Sequence, residues 1–136
     1  MLGDQIYESR GRITGIRVIE IDGSNAVKTE TSYTMQGRLK GIEITETGTF
    51  TSVMRSDNKQ YGEDTVFVST QDGSSNGTIK AWGISQVTGP QKSSFRGFAI
   101  LGPSNNGKLA ALNNMTIVFN TEVEGENLSA KGWEWN

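Results

Sequence analysis

The chain of 136 residues contains no cysteine and no histidine, and only two prolines. Without cysteine it can form no disulfide, no thiolate nucleophile and no thiolate metal site. Without histidine it lacks the usual general base near neutral pH, which excludes a Ser-His-Asp triad, histidine-ligated haem and histidine-based zinc sites. A bound metal would have to be a hard cation held by oxygen atoms. The sequence predicts neither a metal site nor a cofactor.

A strong charge of one sign and long apolar runs are also missing. Thirteen Lys and Arg residues oppose fifteen Asp and Glu residues, so the net charge is −2. This balance gives no electrostatic reason to expect a nucleic-acid or membrane partner. No apolar run approaches the roughly 20 residues of a membrane-spanning helix, and residues 1–12 show no apolar signal-peptide core. We expect a single cytoplasmic domain over residues 1–136.

Glycine, at 17 residues, is abundant, and residues of the Gly, Asn, Asp, Ser and Pro types mark seven turn-like stretches. These are DGSN (22–25), QGRLKG (36–41), RSDNKQ (55–60), QDGSSNG (71–77), TGPQK (88–92), GPSNNGK (102–108) and EGEN (124–127). Between them lie eight segments rich in Val, Ile, Thr and aromatic residues, at about 5–21, 26–35, 41–55, 60–70, 77–87, 93–101, 108–123 and 128–135. None has a helical apolar stripe, so all eight are predicted strands.

Eight antiparallel strands with short connections leave two exposed edges unless the sheet closes on itself. The sequence therefore predicts an all-β fold, an eight-stranded antiparallel up-and-down barrel, with a two-sheet sandwich as the alternative. A barrel of eight strands is either filled by side chains or holds one small ligand. Alternation in the third segment places Ile44, Glu46 and Phe50 on one face and a row of threonines on the other. The first, fourth and sixth segments alternate poorly, and Gly11 and Gly15 allow a bulge in the first.

Residues 100–112, ILGPSNNGKLAAL, have the glycine spacing of a phosphate-binding loop. The functional motif requires a Ser or Thr after the lysine, and a helix whose N-terminus meets the phosphates. Here Leu109 follows Lys108, and the chain becomes strand-like after Asn114. We therefore interpret this stretch as the loop between the sixth and seventh strands.

Polar residues on predicted apolar faces are the candidate site residues. A buried Glu46 would have a raised pKa and could act as an acid or base. The favoured interpretation is a structural pair with an inward Arg17 or Arg96, or a position near an open end of the barrel. Asn113 is placed in an apolar row of the seventh segment, where it would orient a ligand carbonyl. A satisfied core amide or a bulge residue is the favoured alternative. Tyr33 would hold its hydroxyl either in the interior or at the barrel rim.

Two further features concern packing. Trp133 and Trp135 would share a face, where they either line a pocket or pack the last strand onto the first, and the second interpretation is favoured. The seventh segment has apolar residues on both faces, with Leu112 and Val118 opposite Met115 and Ile117. This distribution predicts a buried outer surface and hence a homo-oligomer.

Four stretches resemble small bacterial and archaeal proteins of the allene oxide cyclase barrel-like family, whose members include domains of unknown function. They are GRITGIRVIEIDG (11–23), GRLKGIEITETGTFTS (37–52), FRGFAILGPSNNGKLAALNN (95–114) and WEW (133–135). The resemblance implies an eight-stranded barrel related in shape to lipocalins and often oligomeric. It also implies that a cyclase of this type would hold a hydrophobic substrate in the lumen. No residue here matches a cyclase active site position by position, so no catalytic role is transferred.

Three functions follow as hypotheses. The first is a binding module for a small hydrophobic or amphipathic ligand, with Tyr33, Glu46 and Asn113 fixing its orientation. The second is a cofactor-free cyclase or isomerase that relies on one tuned carboxylate. The third is a structural homo-oligomer without a ligand. The volume and polarity of the barrel interior, and the direction of Glu46, distinguish them.

Overall fold

The computed structural model describes residues 2–23, 26–54, 59–105 and 107–135. They form a closed barrel in which each strand pairs antiparallel with the next and the last pairs with the first. The strands are β1 (Leu2–Ile21), β2 (Val27–Leu39), β3 (Ile42–Met54), β4 (Lys59–Thr70), β5 (Asn76–Gly89), β6 (Lys92–Ser104), β7 (Thr116–Glu124) and β8 (Asn127–Trp135). The predicted up-and-down barrel is confirmed, and the sandwich alternative is wrong.

The largest departure from the predicted segments lies before β7. The seventh segment was expected to begin at 108, but β7 begins at Thr116, and a short 3-10 helix (Ala110–Leu112) precedes it. Asn114 has a positive φ of 68°, which is incompatible with a continuous strand. The loop interpretation of residues 102–108 is correct, since this stretch lies between β6 and β7. Residues 24–25, 55–58 and 106, which belong to three predicted turns, lie outside the described residues.

One end of the barrel is closed by packed side chains. In an up-and-down barrel the connections β2–β3, β4–β5 and β6–β7 lie at the same end, and the most deeply buried apolar residues lie next to them. Leu39, Ile44, Val68 and Leu109 are each at most 2% exposed. The Leu109 backbone N–H donates to Ser75 Oγ over 3.2 Å. The stretch that resembles a phosphate loop therefore caps the barrel, with Leu109 as its apolar anchor.

The opposite end is open beside β1. β1 pairs with β8 as far as Arg12, opposite Asn127, and the Ile13 N–H donates to the Glu126 carbonyl over 2.8 Å. From Gly15 to Ile21 the described residues of β1 pair with β2 alone. A register shift between Ile13 and Gly15 agrees with the predicted bulge. This half of β1 extends beyond β8 and leaves an opening to the interior.

Candidate functional site

The interior of the barrel is a cavity of about 290 Å³. That volume is about the share of ten water molecules in the liquid. Most of its wall is apolar, and three phenylalanines pack together within it, with ring centroids 4.5 Å apart for Phe50 and Phe95 and 5.1 Å apart for Phe95 and Phe119. Ile16 lines the cavity and is nevertheless 65% exposed, which places the entrance beside the extended half of β1.

Glu46 lies in this cavity, as the alternation of β3 predicts, and is only 4% exposed. Its Oε2 accepts hydrogen bonds from the Tyr7 hydroxyl at 2.7 Å and from Ser9 Oγ at 2.8 Å. Burial raises the pKa of Glu46, while the two hydrogen bonds act in the opposite direction. The carboxylate is therefore held by hydroxyl groups of β1, not by an arginine.

A second tyrosine–carboxylate pair lies nearby. The Tyr33 hydroxyl of β2 donates to Asp64 Oδ2 of β4 over 2.6 Å. The pKa of Asp64 is raised to about 7, mainly by burial and also by the charge of Glu46. The hydrogen bond from Tyr33 and the Thr65 backbone amide act in the opposite direction. Asp64 Oδ1 is buried, and no donor among the described residues meets it with hydrogen-bond geometry, although the Thr65 backbone N–H lies close enough to the carboxyl to lower its pKa. Such an unsatisfied buried acceptor is uncommon in folded proteins.

The backbone of β3 makes room for this second pair. A Cβ added at Gly48 would collide with Cζ and the hydroxyl oxygen of Tyr33. The tyrosine ring therefore lies directly across Gly48, the residue opposite it in the β2–β3 ladder. A side chain at this position would displace the Tyr33 hydroxyl from Asp64.

We call Tyr7, Tyr33, Glu46 and Asp64 the tyrosine–carboxylate cluster; they come from four consecutive strands. The members influence one another electrostatically, because the Glu46 charge raises the pKa of Asp64. Burial is the largest cause of the raised pKa of each tyrosine, and both carboxylates raise it further. Both hydroxyls donate to carboxylates, so the hydrogen-bonding capacity left in the cluster is acceptor capacity. Among the cavity-lining residues that the structure describes, none is Lys or Arg.

The other predicted site residues lie outside the cavity. The expected inward arginines are on the surface, since Arg17 pairs with Glu30 across 3.1 Å and Arg96 is exposed. The predicted placement of Asn113 in an apolar row is wrong, because Asn113 follows the 3-10 helix and is exposed. The turn that ends this helix interrupts the alternation of faces that the prediction assumed. Tyr33 and Glu46 alone of the five candidates line the cavity.

Sequence reasoning missed Tyr7 and Asp64. Asp64 has the same parity as Val66 and Val68, which are both buried, but the poor alternation of the fourth segment hid this relationship. Tyr7 lies next to register shifts of the β1–β8 ladder, between Leu2 and Gln5 and between Gln5 and Tyr7, and such shifts interrupt the alternation of faces along β1. The partners of both residues are more than 30 positions away in the sequence, at separations of 39 and 31.

Trp133 and Trp135 do not line the cavity. They lie opposite Gln5 and Leu2 in the β1–β8 ladder, and Trp135 is 56% exposed. The pocket-lining alternative therefore does not hold, and both residues lie in the ladder that joins the last strand to the first. No helix within the described ranges is long and apolar enough to cross a bilayer.

The comparisons with known proteins bear on the fold. No family model matches the chain, and no curated protein matches it. The crystal structure of a protein with unknown function from Clostridium acetobutylicum ATCC 824 is similar, with a TM-score of 0.80 and 15% identity over 98% of each chain. A conserved protein of unknown function from Rhodopseudomonas palustris has a TM-score of 0.76 and 13% identity, over 98% of this chain and 97% of its own. At these identities the likeness concerns the fold alone, and this chain shares a closed eight-stranded barrel with proteins of unknown function.

Proposed function

We propose that this protein binds one small, mostly apolar ligand inside its barrel. The observation that supports the proposal is the cavity of about 290 Å³, which combines apolar walls with a few convergent polar groups. Ligand sites in proteins typically have this composition, in which apolar area provides affinity and the polar groups fix orientation. A barrel without a ligand function has no evident reason to leave its centre unfilled and to bury two carboxylates there.

The depth of the polar groups supports a defined orientation for the ligand. Glu46 lies two residues along β3 from Ile44, which belongs to the packed end of the barrel. Gln60, Ser85 and Ser93 line the cavity near the connections at the open end. A ligand entering beside Ile16 would therefore place its polar group against the tyrosine–carboxylate cluster and its apolar part along the phenylalanines.

Native mass spectrometry of the protein purified without denaturant tests this proposal. We expect an additional mass that is released by organic extraction, and we expect Ala99→Leu, which fills part of the cavity, to reduce it strongly. Ile100→Leu, on the outer face of the same strand, is the matched control and should retain the ligand. If the purified protein carries no ligand and 1-octanol added in excess does not bind, the proposal is wrong.

A second candidate is a cofactor-free isomerase or cyclase, the function that resemblance to the allene oxide cyclase barrel-like family implies. One observation favours it specifically, because a carboxyl with a pKa of about 7 at a cavity wall is suited to general acid–base catalysis. The test is exchange of the α-protons of 2-octanone in D₂O, followed by NMR. Exchange that is lost in Asp64→Asn but retained in Asp72→Asn would support catalysis, and exchange at the rate of buffer alone would reject it for this class of substrate.

We further propose that a second copy of the chain covers the outer face of β5 to β8. Trp82, Phe98, Val118 and Trp133 are direct neighbours in consecutive ladders of this face, and the rings of Trp82 and Phe98 stack with centroids 5.2 Å apart. Contiguous apolar patches on a protein surface commonly mark association sites. Light scattering should therefore report an oligomer, and Phe98→Lys should convert it to a monomer. A monomeric parent protein would contradict this proposal without affecting the ligand site.

A further inference from the structure

We propose that the ligand of this cavity carries a protonated amine on an apolar chain, and that Asp64 Oδ1 accepts a hydrogen bond from that ammonium group. This inference rests on the proposed function and specifies its chemistry. The reason is that the hydroxyl donors of the tyrosine–carboxylate cluster already have partners, whereas one carboxylate acceptor does not.

The hydroxyl groups of the cluster are engaged as donors. The Tyr7 hydroxyl donates to Glu46 and the Tyr33 hydroxyl donates to Asp64. Among the side chains that the structure describes, the buried polar atom without a partner is a carboxylate oxygen, Asp64 Oδ1, which is an acceptor while the carboxyl is ionised. A ligand that satisfies it must therefore donate, as an amine or a hydroxyl group can and a carboxylate or an ether cannot.

Charge distinguishes the amine from the alcohol. Glu46 and Asp64 both face the cavity, and no described lining residue carries a positive charge. An ammonium group would compensate this concentration of negative charge, and an anionic ligand would add a third acid to it. The cavity therefore favours a cation over a neutral alcohol, and an alcohol over a carboxylate.

The size of the cavity selects the probes. A volume of about 290 Å³ suits a molecule of roughly ten non-hydrogen atoms. Octylamine, 1-octanol and octanoate share one apolar chain and differ only in the polar group. Isothermal titration calorimetry with these three compounds at pH 8 compares a cation, a neutral donor and an anion of nearly equal size.

We expect octylamine to bind at least tenfold more tightly than 1-octanol, and octanoate to bind most weakly. Asp64→Asn should weaken octylamine at least tenfold and change 1-octanol less than threefold. Asp72→Asn removes an exposed carboxylate in the β4–β5 connection and is the control for non-specific attraction, so it should change neither affinity. Thermal unfolding of each variant establishes that the barrel is intact.

The pH dependence gives a second measurement. Tyr7, Tyr33 and Glu46 face Asp64 from β1, β2 and β3, and the described lining residues of β5 to β8 contain no ionisable side chain. Since the pKa of Asp64 is about 7 and an alkylamine remains protonated up to about pH 10, octylamine should bind up to tenfold more weakly at pH 6 than at pH 8. 1-Octanol should show no such loss.

The possible results distinguish a failure of the amine assignment from a failure of the proposed ligand-binding function. If 1-octanol binds as tightly as octylamine, or if Asp64→Asn weakens both equally, the amine assignment is wrong while the ligand-binding function stands. If none of the three compounds binds, both are wrong for ligands of this size. Preferential binding of octanoate would overturn the electrostatic argument itself.

Discussion

Replacing Asp64 by asparagine should stabilise the protein at neutral and alkaline pH but not at pH 4. The substitution keeps the shape of the side chain and removes its charge. In the folded protein the pKa of Asp64 is about 7, against an ordinary value of 3.8, with burial as the main cause. The folded state therefore holds this proton more tightly than the unfolded state does. It follows that the wild-type barrel loses stability as the pH rises from about 4 to about 7.

The size of this stability change follows from the pH range between the ordinary pKa of Asp64 and its pKa in the folded protein. At 1.36 kcal/mol per pH unit, a window of about three pH units corresponds to about 4 kcal/mol. This figure is an upper bound because the side chain keeps partial contact with solvent through the cavity. The difference in unfolding free energy between Asp64→Asn and wild type should therefore increase by up to about 4 kcal/mol between pH 4 and pH 7, and then remain constant.

Urea unfolding of both proteins at pH 4, 5, 6, 7 and 8 measures this difference. A constant free-energy cost of the asparagine amide would shift this difference equally at every pH and would leave its pH dependence unchanged. Glu46 titrates in both proteins. Asp72→Asn is the control, because hydrogen bonds from Ser74 and Thr70 lower the pKa of Asp72 to about 2. Its contribution is present above pH 3.8 and lost only toward pH 2, so its difference from wild type should be constant from pH 5 to pH 8. A constant difference for Asp64→Asn as well would refute the assignment of Asp64 as a desolvated carboxyl.

Three other substitutions test the packing of the site. Gly48→Ala should displace the Tyr33 ring and lower the unfolding free energy by about 1–3 kcal/mol, whereas Gly15→Ala meets open space and should be tolerated; equal stability of the two variants would contradict the close approach. Leu109→Ala should cost about 2–5 kcal/mol in urea unfolding and Lys108→Ala almost nothing, because only Leu109 is buried. Tyr7→Phe leaves Ser9 as the remaining described donor to Glu46 Oε2, and should cost about 1.5–3 kcal/mol at pH 8. A loss below about 0.5 kcal/mol would show that the Tyr7 hydroxyl does not support the carboxylate.

Much of the fold could be read from local patterns. The turn residues placed the eight strands to within a few positions, apart from the beginning of β7, because glycine and asparagine permit backbone conformations that strands exclude. The period of two in β3 correctly directed Glu46 and Phe50 inward. The same rule failed for Asn113, where the chain forms a 3-10 helix and alternation has no meaning.

The sequence by itself determined the number of strands and the inward position of Glu46, and it favoured the closed sheet over a sandwich. It left the Tyr33 hydroxyl either in the interior or at the barrel rim. Only the tertiary structure decided that Glu46 meets Tyr7, that Tyr33 meets Asp64, and that Leu109 caps one end. Alternation states which face of a strand a residue occupies, but it cannot state which residue lies across the lumen. That choice depends on the register of all eight strands around the closed sheet, since closure brings residues 31 and 39 positions apart within hydrogen-bond distance.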